Sequence, residues 1–435
     1  MQQKQKDHGS NNAASRTLTI KEHKELSGKS TPFYFNTSKL ISNIKEYVPL
    51  SNEDYFVFFA TETFRKNKWK GNGYKFGDDL SKVKRLHKRV NFIVFSEFMH
   101  KNLNTAVDKL NKKQAYSVYM ADNTFVEDIS ALNKIKIKNL TISDSSPEFA
   151  QKKYSLRQKS IDGYLALDGL ASLAFLENFK IEKINHLFIR KSSDIKGLKD
   201  FLQRTKVNKL TIESCDINDL PPVELEYLYI SNCKLNFRKL EPELSVKKLI
   251  ISNCNVVNLA DCFKEVKQLY CSGMDTSIIA SIKQLPELKQ LAFITLSGEY
   301  DLSFIKKMKL NKLCLLFEKI KSLDALKNSS VTTLHLVGMP QLTDLQFIKE
   351  TKISELKICN CRGFKDFSPL AKSDVRKLSI IANGTLGNKD LKQINNLALT
   401  ELDLTYSKYE ESELKHKDIL NDKLHQCELT TCEPW

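Results

Sequence analysis

Between Val207 and Val375 an apolar triad returns at intervals of 18 to 22 residues. Its form is apolar-x-x-apolar-x-apolar, as in Val207/Leu210/Ile212, Leu225/Leu228/Ile230 and Val246/Leu249/Ile251. Leu288/Leu291/Phe293, Leu310/Leu313/Leu315, Val331/Leu334/Leu336 and Ile353/Leu356/Ile358 continue the series. A fixed step of this length makes each unit one supersecondary element, which buries its apolar edge only by stacking on its neighbours. The chain is therefore expected to be a repeat array rather than a string of independent globules. The spacing of two between the last apolar positions predicts a strand whose alternate residues point inward.

The series extends in both directions. Val90/Ile93/Phe95, Ala115/Val118/Met120 and Ile137/Leu140/Ile142 fit it, a degenerate unit is expected at Ile161/Tyr164/Ala166, and Ile184/Leu187/Ile189 follows. Val375/Leu378/Ile380 and Leu399/Leu402/Leu404 close it, giving about fourteen units over 90–409. Residues 1–30 read as a basic tail and 31–89 as an N-terminal cap carrying a helical segment at Thr37–Tyr47. Residues 410–435 read as a C-terminal cap in which Leu414, Ile419, Leu420, Leu424 and Trp435 cover the last coil.

Three residues after many of these triads a small or hydrogen-bonding residue recurs: Cys215, Cys233, Cys254, Cys361 and Asn383. With it the pattern becomes L-x-x-L-x-L-x-x-N/C-x-L, which resembles the leucine-rich repeat. The segments Asp344-Leu345-Gln346-Phe347-Ile348 and Asp366-Phe367-Ser368-Pro369-Leu370 are similar to the 22-residue, internalin-like class. That resemblance implies an α/β solenoid with a concave parallel sheet and short helical or irregular convex segments. It also implies a structural role for the cysteines, as caps within the turns. Leu296, Glu318 and Met339 depart from the pattern at the capping position.

The net charge of +16 favours acidic partners, whether protein or nucleic acid. No secretory h-region is expected in 1–16, the run Tyr164–Leu176 is too short to span a bilayer, and the ten cysteines are scattered, mostly through the repeats, rather than paired. An intracellular, cytoplasmic or nuclear monomer is the expectation. No phosphate-binding G-x-x-x-x-G-K loop, G-x-S-x-G elbow or H-E-x-x-H zinc helix occurs. The chain is thus expected to have no catalytic residues, no cofactor and no metal, His416, His425, Cys427 and Cys432 being too loosely spaced for a zinc site.

Function should then reside on surfaces. In each strand the residues between the buried ones face the concave side, where polar residues would cost nothing. The chain instead places Phe188, Tyr227, Tyr229, Ile250, Tyr270 and Ile294 there, followed by Leu316, Phe317, His335 and Val337. An apolar, aromatic column of this kind predicts a protein-binding face, and a non-enzymatic scaffold is the leading expectation. Two alternatives stand beside it. The segment K-L-I-S-N-I-K-E-Y-V-P-L distantly resembles an F-box, which would imply a substrate adaptor of a ubiquitin ligase. The stretch 65–89, with Lys66, Lys68, Lys70, Lys84, Arg85, Lys88 and Arg89 around Trp69 and Tyr74, has the composition of an anion- or nucleic-acid-binding surface.

Overall fold

A computed structural model describes residues 103–121, 128–143 and 154–420, together with the strands Tyr55–Phe59, Gly73–Phe76 and Val90–Phe95. Within 154–420 it omits 218–219, 236–243, 255–258, 297–298, 317–318, 321, 340, 365, 406, 409–410, 417 and 419.

Among the described residues, eighteen strands form one open sheet in which the strand pairings are parallel. From Val90–Phe95 onward each long strand pairs with the next in the chain. The run passes through Lys206–Glu213, Glu224–Ser231, Leu244–Ser252, Gln268–Ser272 and Gln290–Ile294 to Glu401–Asp403. This is a solenoid-like α/β arrangement. Parallel neighbours need a crossover on one face, and the 18 to 22 residue period is the length of that circuit.

The register explains the periodic leucines. Leu228 sits beside Leu249, Leu249 beside Leu269, Leu269 beside Leu291, and so on through Leu313, Leu334, Leu356 and Leu378. All of these are fully or almost fully buried in one continuous core. No coil closes that core alone, because each leucine is covered by the coils on either side.

Turns end the strands with a recurring device. Ser214, Asn232, Asn253, Thr295, Asn360 and Ala382 all have left-handed backbone, with φ between 49° and 53°. Gly273 and Gly338 fill the same position with φ of 57° and 62°. The N–H of each donates to the next coil, as in Asn232 N–H to Ser252 O at 3.0 Å and Asn253 N–H to Ser272 O at 2.9 Å. The residue that follows occupies the capping slot. Cys233 Sγ lies 3.5 Å from Ile212 O and Cys361 Sγ 3.5 Å from Leu336 O, each reaching back toward an earlier strand. Asn383 does the same with Nδ2 to Ile358 O at 3.2 Å, while its Oδ1 accepts from Cys361 N–H at 2.6 Å.

The return segments are short helical turns, as expected. The 3-10 segments Ser303–Lys307, Gln346–Glu350 and Ser368–Lys372 each begin beside an aspartate that accepts a backbone N–H two residues on. Asp301, Asp344 and Asp366 do this at 2.9, 2.9 and 3.0 Å. An Asx turn of this type starts a helical turn without needing a longer helix.

Three expectations need correction. The unit written as Ile161/Tyr164/Ala166 is displaced by one residue: Leu165 pairs with Leu187 and Leu167 with Ile189, and the register shifts between Ile161 and Tyr164. Gly163 is the extra residue, and a β-carbon there would lie 1.8 Å from Asn139 Oδ1, so no larger residue fits without displacing that side chain. In the Ala115 unit the buried side chain that starts the triad is Tyr116, next to a second register shift. Finally, 55–59 and 73–76, expected to belong to an N-terminal cap outside the repeats, are strands of the same sheet. They join it out of chain order, with Tyr55–Phe59 lying between Gly73–Phe76 and Val90–Phe95. Thr37–Tyr47 lies outside the described residues.

Candidate functional site: the open face of the sheet

Alternation along each strand puts every second side chain on the face opposite the core. The register sorts these into three columns rather than the single one expected from sequence. The first runs Tyr164, His186, Lys209, Tyr227, Lys248, Gln268, Gln290 and Lys312, then Thr333, Glu355 and Lys377. The second, two residues along, runs Phe188, Thr211, Tyr229, Ile250, Tyr270, Ala292, Cys314 and His335, then Lys357. The third runs Arg190, Glu213, Ser231, Ser252, Ser272, Ile294, Leu316, Val337, Cys359 and Ile381.

Midway along this face, on the strands Leu156–Asp168, Phe179–Arg190 and Glu224–Ser231, stands an aromatic cluster. His186 stacks on Phe188 with ring centroids 3.8 Å apart and an interplanar angle of 25°. Tyr164 meets Phe188 edge-on at 5.9 Å, and Tyr227 meets His186 edge-on at 5.8 Å. Lys248 Nζ is 5.8 Å from the centre of the Tyr227 ring. His186 Nε2 is hydrogen-bonded to Thr211 Oγ1 at 2.9 Å. Burial, reinforced by the charge of Lys209, pushes the imidazole pKa down to about 4, so the ring is neutral at physiological pH.

Toward its C-terminal end the face carries its own apolar cluster, separate from the main core. Ala292, Cys314, Leu316, Val337 and Cys359 form it, and the half-buried Tyr270, Ile294 and Ile381 pack against it. These residues alternate with core positions such as Leu291, Phe293, Leu313 and Leu315, so the two clusters lie on opposite sides of one sheet. Leu316 is only 6% exposed and is a member of this cluster rather than a free surface side chain, contrary to expectation. Neighbouring rungs stand about 4.8 Å apart, close enough for such side chains to screen one another. The half-exposed apolar area is therefore concentrated at Tyr227, Tyr229, Ile250, Tyr270 and Ile294.

His335 sits where that cluster meets charged residues. Burial, helped by Lys312 and Lys357, pushes its pKa down to about 3. Its Nε2 is 3.6 Å from Glu355 Oε1, beyond hydrogen-bond reach, and a neutral ring makes no ion pair there. Arg190, by contrast, is paired with Glu213 through Nε–Oε2 at 2.6 Å.

Of the expected partner-binding residues, Phe188, Tyr227, Tyr229, Ile250, Tyr270, Ile294, Leu316 and His335 lie on this face, in three columns. Phe317 lies outside the described residues, as do Lys66, Lys68, Lys70, Lys84, Arg85, Lys88 and Arg89. Sequence reasoning missed Tyr164 and His186, which sit on strands lengthened by bulges, and the small residues Ala292, Cys314 and Cys359. Parity along the strand was the available signal for His186, Ala292, Cys314 and Cys359, whereas Tyr164 follows a register shift that parity does not reveal.

A cleft of about 580 Å³ lies elsewhere, among the turns after Val337 and the return segments around Asp324 and Asp344. Its lining contains neither histidine nor cysteine. Among the described residues no group of three or more His, Cys, Asp or Glu side chains is placed to hold a metal ion. No helix among them is long and apolar enough to cross a membrane. Neither a protein-family model nor a curated protein matches this chain.

Proposed function

We propose that this chain is a non-enzymatic scaffold of the leucine-rich-repeat kind that holds a protein partner against the concave, open face of its sheet. The observation that carries this reading is the half-exposed apolar run Tyr229, Ile250 and Tyr270, one residue per successive rung, continued by Ile294 beside the second apolar cluster. Outward strand positions accept serine or lysine without cost, and the same face uses both elsewhere. Large apolar groups there gain free energy when covered, about 25 cal/mol for each Å² of apolar area removed from water. Tyrosine suits such a surface because it brings large area with few rotatable bonds. The capping cysteines and the 22-residue step between later units support the repeat class.

The test compares partner recovery by the intact chain and by a Tyr229→Ala/Tyr270→Ala variant, using affinity capture from source cells followed by mass spectrometry. A partner held by the intact chain and lost from an equally stable variant supports the reading. Equal recovery by both places the binding surface elsewhere.

A further inference from the structure

One edge of the open face carries a stack of like charges. Lys247, Lys267 and Lys289 occupy the same position in three consecutive coils, immediately before the first column. Backbone bonds fix the stack, with Lys267 N–H donating to Lys247 O at 3.0 Å and Lys289 N–H to Lys267 O at 2.9 Å. All three side chains are exposed, and none forms an ion pair with a described residue. The rungs are about 4.8 Å apart, and like charges directly opposite one another across strands are destabilising.

The neighbouring column repeats the sign. From Lys206–Glu213 to Lys312–Leu316 it reads Lys209, Tyr227, Lys248, Gln268, Gln290 and Lys312, with no carboxylate. The second column is uncharged over the same six strands. The carboxylates nearby are Glu224 and Glu226, one rung before Ser245 and Lys247, Glu355, two rungs beyond Lys312, and Glu213, already paired with Arg190. Glu265 is engaged by Ser245 Oγ at 2.5 Å, and Glu287 is exposed in the turn before Lys289. Burial first, and Lys209 after it, disfavours the charged form of His186 on the same face.

Resting on the concave-face reading, we infer that the partner presents an acidic, amphipathic segment lying across the strands, its carboxylates on the lysine edge and its apolar side chains on Tyr229, Ile250, Tyr270 and Ile294. Charge complementarity selects the acid, and the adjacent apolar run selects a protein over a polynucleotide. Aliphatic neighbours such as Ile250 and Ile294 match the side chains of a peptide, whereas single-stranded nucleic acids are held by aromatic stacking in a basic groove. The six strands span roughly 24 Å, which about seven residues of extended chain or about sixteen of helix would cross.

The experiment pans the full chain against phage-displayed random peptides of about sixteen residues, the helical length for that span. Enriched peptides are then measured against Lys247→Glu/Lys267→Glu/Lys289→Glu and against Tyr270→Asp. The expected result is enrichment of Asp and Glu with apolar residues, and affinity that falls at least about tenfold in the triple variant and falls with added salt. Triple Lys→Arg substitution should retain binding. Neutral or basic peptides that ignore the lysine reversal but are lost in Tyr270→Asp would overturn the acidic partner while leaving the concave site standing. Peptides indifferent to both variants overturn both readings. Absence of any enriched peptide, or tight binding only of an oligo-dT probe, overturns the acidic segment.

Discussion

Asn253 Oδ1 stands where a β-carbon on residue 273 would have to go, 1.8 Å from that site, and Gly273 has φ of +57°. The two residues hold equivalent left-handed positions in consecutive coils, and Asn253 N–H continues the ladder to Ser272 O at 2.9 Å. The side chain of Asn253 in turn donates from Nδ2 to Asn232 Oδ1 at 3.1 Å. Gly273→Ala should therefore meet a steric contact and a backbone penalty together, costing on the order of 1–3 kcal/mol. Urea denaturation checks this; a change near zero would show that the Asn253 side chain moves aside freely.

The continuous core makes a different demand. Leu291 and Leu334 are fully buried at equivalent places in the leucine ladder. Replacing either with Ala should cost about 2–5 kcal/mol, because the rigid neighbouring coils cannot collapse into the space. The two sites share Leu313 between them, so the double variant should depart from the sum of the single losses by about 0.5 kcal/mol or more. Calorimetry of the single and double variants measures both statements.

The cysteine ladder predicts alkaline behaviour. Burial pushes the Cys215 thiol up to about 11 and Cys233 to about 12, from an ordinary value of 9.0. A raised folded-state pKa favours the protonated native form. The stability it contributes is therefore complete below pH 9 and is lost as pH rises from there toward 11–12. Unfolding free energy should decline above about pH 9, and native Cys215, Cys233, Cys254 and Cys361 should resist iodoacetamide at pH 8. Fast modification of these thiols in the folded chain contradicts the assignment.

The histidines predict the acid side. His186 and His335 have folded pKa values pushed down to about 4 and about 3, from 6.5. The unfolded chain takes up protons first, so their contribution is present above pH 6.5 and fades as pH falls through that value toward 4 and 3. His186→Gln should flatten the loss of stability between pH 7 and pH 4.5. NMR titration showing His186 protonated at pH 6 would refute it.

Much of this architecture was legible in the chain itself. The recurring triad pointed to stacked units with inward apolar strand positions, because apolar period is a local property, and the leucine-rich-repeat resemblance implied parallel strands and short return segments. The capping role of Cys233 and Cys361 was implied by the leucine-rich-repeat resemblance, and their Sγ atoms reach Ile212 O and Leu336 O. What failed was also local: Gly163 inserts one residue into a strand, and a single insertion moves Tyr164 and Ala166 to the other face. Periodicity reads spacing but cannot see a bulge, whose register is set by the neighbouring strands.

The open face depended on the third dimension. The sequence put Tyr227, Tyr229, Ile294 and Leu316 in one list, whereas lateral register separates them into three columns with different neighbours. Only that register gathers Ala292, Cys314 and Cys359 into a common apolar cluster and stacks Lys247, Lys267 and Lys289 along one edge. Residues about twenty apart in sequence become neighbours at about 4.8 Å once parallel strands pair. The sequence by itself determined which residues face inward; tertiary pairing decided which outward residues touch, and so where charge and apolar area accumulate.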